Sequence, residues 1–215
     1  MTWRARLGAT ALAAILLAAC ASPGGPGSGT ASGTADGPID PAGTSVPGAP
    51  PADGEVIAEG TVLQIDDGLP QLCLGGVMES YPPQCSGPPI VNWDWDLAGG
   101  SETASGVTWG AYAVTGTWDG TTFTRTGVPI SLALYDRAPI TDPMAGRQGT
   151  TGQAELDRIL QDIYFRHAGY TVTAGIERGF VVVTVIHDDG SFQERMDAEY
   201  GQDVVVVLSA LRSHG

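Results

Sequence analysis

The sequence contains no lysine: its ten basic residues are all arginine. Chemistry that needs an amine side chain is thereby excluded, including a Schiff base, a Ser-Lys dyad and a P-loop lysine. Positive charge is also scarce in total, with 24 Asp and Glu giving a net charge of −14. That balance argues against electrostatic binding to a nucleic-acid backbone or to an anionic membrane face. Histidine and cysteine are limited to three each. Gly-x-Ser-x-Gly, His-Glu-x-x-His and Gly-x-x-x-x-Gly-Lys do not occur, so these motifs point to no catalytic residue and no resident metal. No cofactor is expected. What is abundant is glycine and proline, 31 and 15 residues, beside a hydrophobic fraction of 42%, close to globular. A core can therefore form only if the glycine and proline are concentrated elsewhere.

The one long apolar run is at the start. Arg4 and Arg6 precede Leu7 to Ala19, which is almost wholly apolar or small and too short to span a bilayer as a helix. It ends Leu17-Ala18-Ala19-Cys20, which resembles the lipobox of bacterial lipoproteins. The resemblance implies that residues 1–19 are a signal peptide, that the Cys20 thiol receives a diacylglycerol, and that cleavage falls just before it. Two or more acyl chains anchor stably where one does so marginally. The protein is then expected on the extracytoplasmic face of the cell membrane, held through lipid on Cys20. The other reading is an ordinary secretory signal in which Cys20 is incidental.

Residues 20–54 form the expected linker. From Ala21 to Gly54 the only large apolar residues are Ile39 and Val46. Such a segment cannot bury enough surface to offset its ordering entropy, so it is expected to be disordered. It would reach about 30 Å as a random coil and roughly 100 Å as polyproline II.

The remainder is expected to be α+β. Residues 55–127 read as a β-rich subdomain, a small barrel or an extended sheet. Glu55–Asp66 and Val107–Trp118 are strands, and Asp119-Gly120 before Thr121–Arg125 is a two-residue hairpin signal. Residues 128–215 read as an α/β subdomain. Val128–Tyr135 is a strand, Thr150–His167 has helical spacing, Tyr170–Ile176 and Phe180–Ile186 are strands, Ser191–Tyr200 is a short helix and Val204–Leu208 a last strand. Capping boxes are expected at Thr150/Gln153 and Ser191/Glu194. The resulting β-α-β-β-α-β order is that of the ferredoxin-like plait.

With Cys20 assigned to lipid, Cys73 and Cys85 remain as a pair in an oxidising location. A bridge would close a loop of about 13 residues, worth about 3 kcal/mol in the chain-entropy model. A redox pair lacks the Cys-x-x-Cys spacing, and zinc lacks further ligands. The stretch Pro70–Gly75, Ser80–Ile90 with Pro82-Pro83-Gln84-Cys85-Ser86-Gly87-Pro88-Pro89, and Trp93-Asp94-Trp95 resembles a pattern of uncharacterised exported proteins and lipoproteins of actinobacteria. Tyr200-Gly201, Val205–Val207 and Ser209–Arg212 are similar to the tail of that group. The resemblance implies export and the disulfide, and no activity.

Trp93, Asp94, Trp95 and Asp96 are the candidate ligand patch. In a strand both indoles would face one side and both carboxylates the other. Exposed indoles beside acids suit sugars, paired acids suit glycoside hydrolysis, and adjacent acids can hold calcium, although the Gly and Glu of an EF-hand loop are missing. Against these stands the plain reading, indoles packed and carboxylates solvated, which is the expectation taken here. His167 at a helix end and His187 before Asp188-Asp189 are read as surface or edge residues. The functional expectation is a membrane-anchored, non-enzymatic domain of the cell envelope that binds an envelope protein or a small ligand, and no nucleic acid. The alternative is an envelope hydrolase acting on sugars through Asp94 and Asp96.

Overall fold

The computed structural model describes residues 49–214. The signal segment, Cys20 and the linker as far as residue 48 lie outside the described residues. The order of elements is β1 (Glu55–Ile65), β2 (Gln71–Cys73), β3 (Ile90–Val91), β4 (Glu102–Ala104), β5 (Val107–Trp118), β6 (Phe123–Arg125), β7 (Ile130–Ser131), α1 (Gln153–Arg166), β8 (Thr171–Glu177), β9 (Phe180–Val185), α2 (Ser191–Tyr200), β10 (Val205–Ser209) and β11 (Arg212–Ser213). The fold is α+β and rich in strand. No helix among the described residues is long and apolar enough to cross a membrane.

Eight strands form one curled sheet around the antiparallel pair β1 and β5, which stay in register from Glu55↔Thr117 to Ile65↔Val107. Alternation puts Val56, Ala58 and Val62 of β1 on the core face, against Leu72, Ile90, Val114 and Phe123. β11 returns from the far end of the sequence to lie against β1, Val56↔Ser213. The β5–β6 connection differs from the expected two-residue turn. The strands stop at Trp118↔Phe123, leaving four residues in the loop. Asp119 Oδ1 accepts the backbone N–H of both Thr121 and Thr122, and so holds the wider loop.

The second sheet has three strands, β10-β9-β8, with β8–β9 antiparallel and β9–β10 parallel. Two-residue hairpin geometry occurs here instead: Arg178 and Gly179, both at positive φ, join Glu177↔Phe180. Each helix buries one stripe. α1 contributes Leu156, Ile159 and Ile163, and α2 contributes Phe192 and Met196, against Val181, Val183 and Val205. Full burial of one such side chain contributes about 1.5–3 kcal/mol.

The ferredoxin-like plait is not confirmed. Of Val128–Tyr135 only Ile130–Ser131 form a strand, and they pair with Tyr112–Ala113 of β5 in the curled sheet. Pro129 has no N–H to donate. The plait also needs an opening strand between β9 and β10, and these two are hydrogen-bonded directly.

The helix caps differ from expectation as well. α1 begins after Gly152, without a side-chain cap, and the Gln153 amide turns to Asp157. At α2 the N-cap position is Gly190, and Asp188 accepts from Phe192 N and Gln193 N, while Asp189 accepts from Ser191 N. Aspartate upstream of the helix does the work expected of Ser191.

Candidate functional site: the disulfide groove and the tryptophan loop

A disulfide joins Cys73, at the end of β2, to Cys85. The chain between them has almost no ladder pairing of its own. Met78 N donates to Gln84 O, Ser80 Oγ donates to Pro82 O, and Tyr81 meets Trp109 edge to face with centroids 5.4 Å apart. The returning strand lies close against β2: Leu72 N donates to Pro88 O at 2.9 Å. A Cβ on Gly87 would stand 2.0 Å from the Leu72 carbonyl oxygen, so no other residue fits there without a backbone shift.

Behind this loop is a groove of about 560 Å³. One wall is the disulfide loop, with Leu74, Gly76, Met78 and Ser86. The other is the link from α1 into β8, with Ala168 and Val172. The walls approach at Gly75, where a Cβ would lie 3.1 Å from Val172 Cγ1. Among the described residues that line the groove, none is charged.

The Trp93–Asp96 segment is a loop and turn, so the strand alternation that would put both indoles on one side does not apply. β3 ends at Val91, and Asn92 takes φ +59°, which breaks the alternation. Both indoles nevertheless turn inward. Trp93 and Trp95 meet edge to face at 5.3 Å, and Trp93 lies 5.3 Å from the ring of Tyr112. Trp95 Nε1 donates to Gln64 Oε1, while Trp93 Nε1 is buried without an acceptor among the described residues. The indoles are half-buried, packed against the core of the curled sheet. Asp94 and Asp96 are exposed, and Asp94 Oδ1 accepts the N–H of Asp96, which spends that carboxylate on a local turn.

The histidines fall in two settings. His187 Nδ1 lies 3.1 Å from the carbonyl oxygen of Pro50, which also accepts from Trp118 Nε1. Residues 49–53, compositionally the end of the linker, are thus held against the fold, and Ala49 is buried. His167 is buried too, with Nε2 3.2 Å from Glu199 Oε2. Burial, followed by Arg166 and Arg195, holds its pKa below the ordinary histidine value, against a smaller opposing effect of the Asp162 carboxylate.

No protein-family model, curated protein or solved structure matches the chain.

Three clusters carry no motif in the sequence. Glu59, in the middle of β1, is paired with both Arg137 and Arg212, tying the loop after β7 and the β11 strand to the sheet. Arg125 is buried and bonds backbone oxygens, Nε to Asn92 O and Nη1 to Gly127 O. Asp162 accepts from Tyr200 at 2.8 Å and pairs with Arg166 at 3.4 Å. Burial and then the Asp162 carboxylate push Tyr200 up to about 12. Asp162 and Arg166 are four apart on α1 and Arg125 and Gly127 two apart, while Glu59 with Arg137 and Arg212, Arg125 with Asn92 and Asp162 with Tyr200 are far apart in sequence. Among the described residues no group of three or more His, Cys, Asp or Glu is placed to hold a metal ion.

Proposed function

We propose that this protein is a lipid-anchored, extracytoplasmic lipoprotein whose folded part is a non-enzymatic binding domain of the cell envelope, of the actinobacterial exported type its motifs resemble. The location rests on Leu17-Ala18-Ala19-Cys20 after a basic and apolar leader. The observation that carries the binding reading is the groove between the disulfide loop and the start of β8. It has the size of a ligand site, within the roughly 300–1,000 Å³ usual for small molecules. Its walls offer apolar carbons and neutral hydrogen-bonding groups, without an acid, base or histidine to move a proton. This supports recognition over turnover at that place.

The anchoring is tested by Cys20→Ser. The variant is expected in the soluble fraction, or as an unprocessed precursor, while the native chain stays with membranes. Normal maturation and unchanged membrane association of the variant would remove the lipoprotein reading.

A further inference from the structure

We infer that the groove beside the disulfide takes a small, uncharged molecule with an apolar body. The inference rests on the binding-domain reading above and names the ligand class. The first argument is charge. The chain carries a net charge of −14, and no arginine among the described residues lines the groove. An anionic ligand would enter against the field of the whole protein with no cation to receive it. A cation would be drawn to the protein but would meet no carboxylate inside, so its desolvation would go uncompensated.

The second argument is the lining. Leu74, Met78, Val172 and Ile186 present aliphatic carbon and one thioether. Met78 is 64% exposed, so the disulfide-loop wall leaves apolar surface in water that an apolar ligand would cover. An unbranched methionine adapts its shape to what it touches. The polar groups available are neutral: Gln71, Gln84 and Ser86 on one wall and Thr171 on the other. The Thr171 hydroxyl already donates to His167 O. The ligand is therefore apolar over most of its length, with an uncharged hydroxyl or amide for the glutamines and Ser86.

The third argument is that the walls are fixed. The Cys73–Cys85 bond ties one wall to β2, and the second wall is the start of β8, paired to β9. A groove held open in this way does not have to be ordered by its ligand.

The test uses the full chain and four probes: Nile red as an uncharged apolar dye, and 1-decanol, decanoate and decylammonium as one alkyl chain with three heads. Decanol is expected to displace the dye at least tenfold more effectively than either charged analogue. Gly76 lines the groove, and a Cβ there meets nothing within 4 Å. Gly76→Phe is thus expected to weaken decanol binding at least tenfold with an unchanged unfolding midpoint. Ser86→Glu, a second and independent variant, should weaken decanol and strengthen decylammonium, a reversal that simple misfolding cannot produce. Charged analogues that bind the native chain as well as decanol, and are blocked by Gly76→Phe, would overturn the ligand class and leave the binding domain standing. If no probe distinguishes either variant from the native chain, both readings fall. If Gly76→Phe leaves decanol binding intact but dissociates a dimer, the occupant is a second copy and the inference is wrong.

Discussion

The two sheets solve the same packing problem in different ways. The three-stranded sheet is covered by regular structure: α1 and α2 lay short apolar stripes on a valine-rich surface. Among the described residues, the core cluster of the curled sheet contains no helix residue and is filled by aromatic side chains and connections. Tyr112, Trp118 and Phe123 are buried there, the Trp93/Trp95 loop packs on them, and a disulfide holds the excursion that follows β2. Where helices do the covering, stability is spread over many apolar contacts along two helix stripes. Where loops do it, stability is concentrated in a few cross-links, and the loops leave a groove.

The sharpest probe of this contrast is a cavity in the helix-covered sheet. Ile163 is fully buried, and Ile163→Ala is expected to cost about 4 kcal/mol, in the upper part of the range for such deletions. Urea unfolding measures it. A cost under about 1 kcal/mol would mean that the stripe carries less than the contrast requires.

Next comes the staple of the curled sheet. Cys73→Ser is expected to cost about 3 kcal/mol from loop entropy alone. Near-ultraviolet dichroism of the tryptophans, followed through the same titration, should respond with the curled sheet. A variant as stable as the native chain would show that the loop is held by Leu72–Pro88 pairing and the Tyr81–Trp109 contact instead.

A smaller effect is expected at the α2 cap. Asp188→Ala removes the acceptor for two backbone N–H groups and should cost about 1 kcal/mol. Ser191→Ala, at the residue expected from sequence to cap, should change the unfolding midpoint far less, because no side-chain cap from it is formed.

The smallest is a pH effect. The folded pKa of His167 lies below the unfolded value of about 6.5. Between the two, the unfolded chain binds more protons, so stability falls as pH drops below about 6.5 and the loss levels off below the folded pKa. The groups around it are Arg166 and Asp162 from α1 and Arg195 and Glu199 from α2. His167→Gln should flatten this part of the stability–pH curve relative to the native chain. Parallel curves would remove burial of His167 as a contributor.

The same contrast decides what could be read in advance. Ser191–Tyr200 is a helix over the residues its spacing predicts, and Phe180–Val185 is a strand apolar on both faces, because helix period and β-branched runs are local. The long strands Glu55–Ile65 and Val107–Trp118 were legible for the same reason. The Cys73–Cys85 bond followed from counting cysteines. What stayed hidden depends on partners distant in sequence: β11 against β1, Glu59 between Arg137 and Arg212, and the two walls of the groove, at residues 74–88 and 168–172. Val128–Tyr135 looked like a strand because its residues favour one. Val128 and Leu134 instead stand exposed, and the chain pairs only at Ile130–Ser131. At Trp93–Asp96 the packed indoles and solvated carboxylates match the plain reading, but the turn that produces them, with Asn92 at φ +59°, has no signal in the alternation of residue types.

The return of β11 has a mechanical consequence. His214 N donates to Glu55 O, and Ser213 lies opposite Val56, so residues 54 and 214 stand side by side at one end of the β1–β11 pair. β11 runs antiparallel to β1. A pull applied between these two points would load the few bonds of β11 one after another, as a zipper is opened, rather than all at once. The long β1–β5 ladder would not share that load until β11 had parted. The first resistance after the zipper starts is the Arg212–Glu59 pair. A force-ramp experiment gripping these two points should therefore show an early, low-force step that lengthens the chain by a few residues, followed by the main rupture of the sheet.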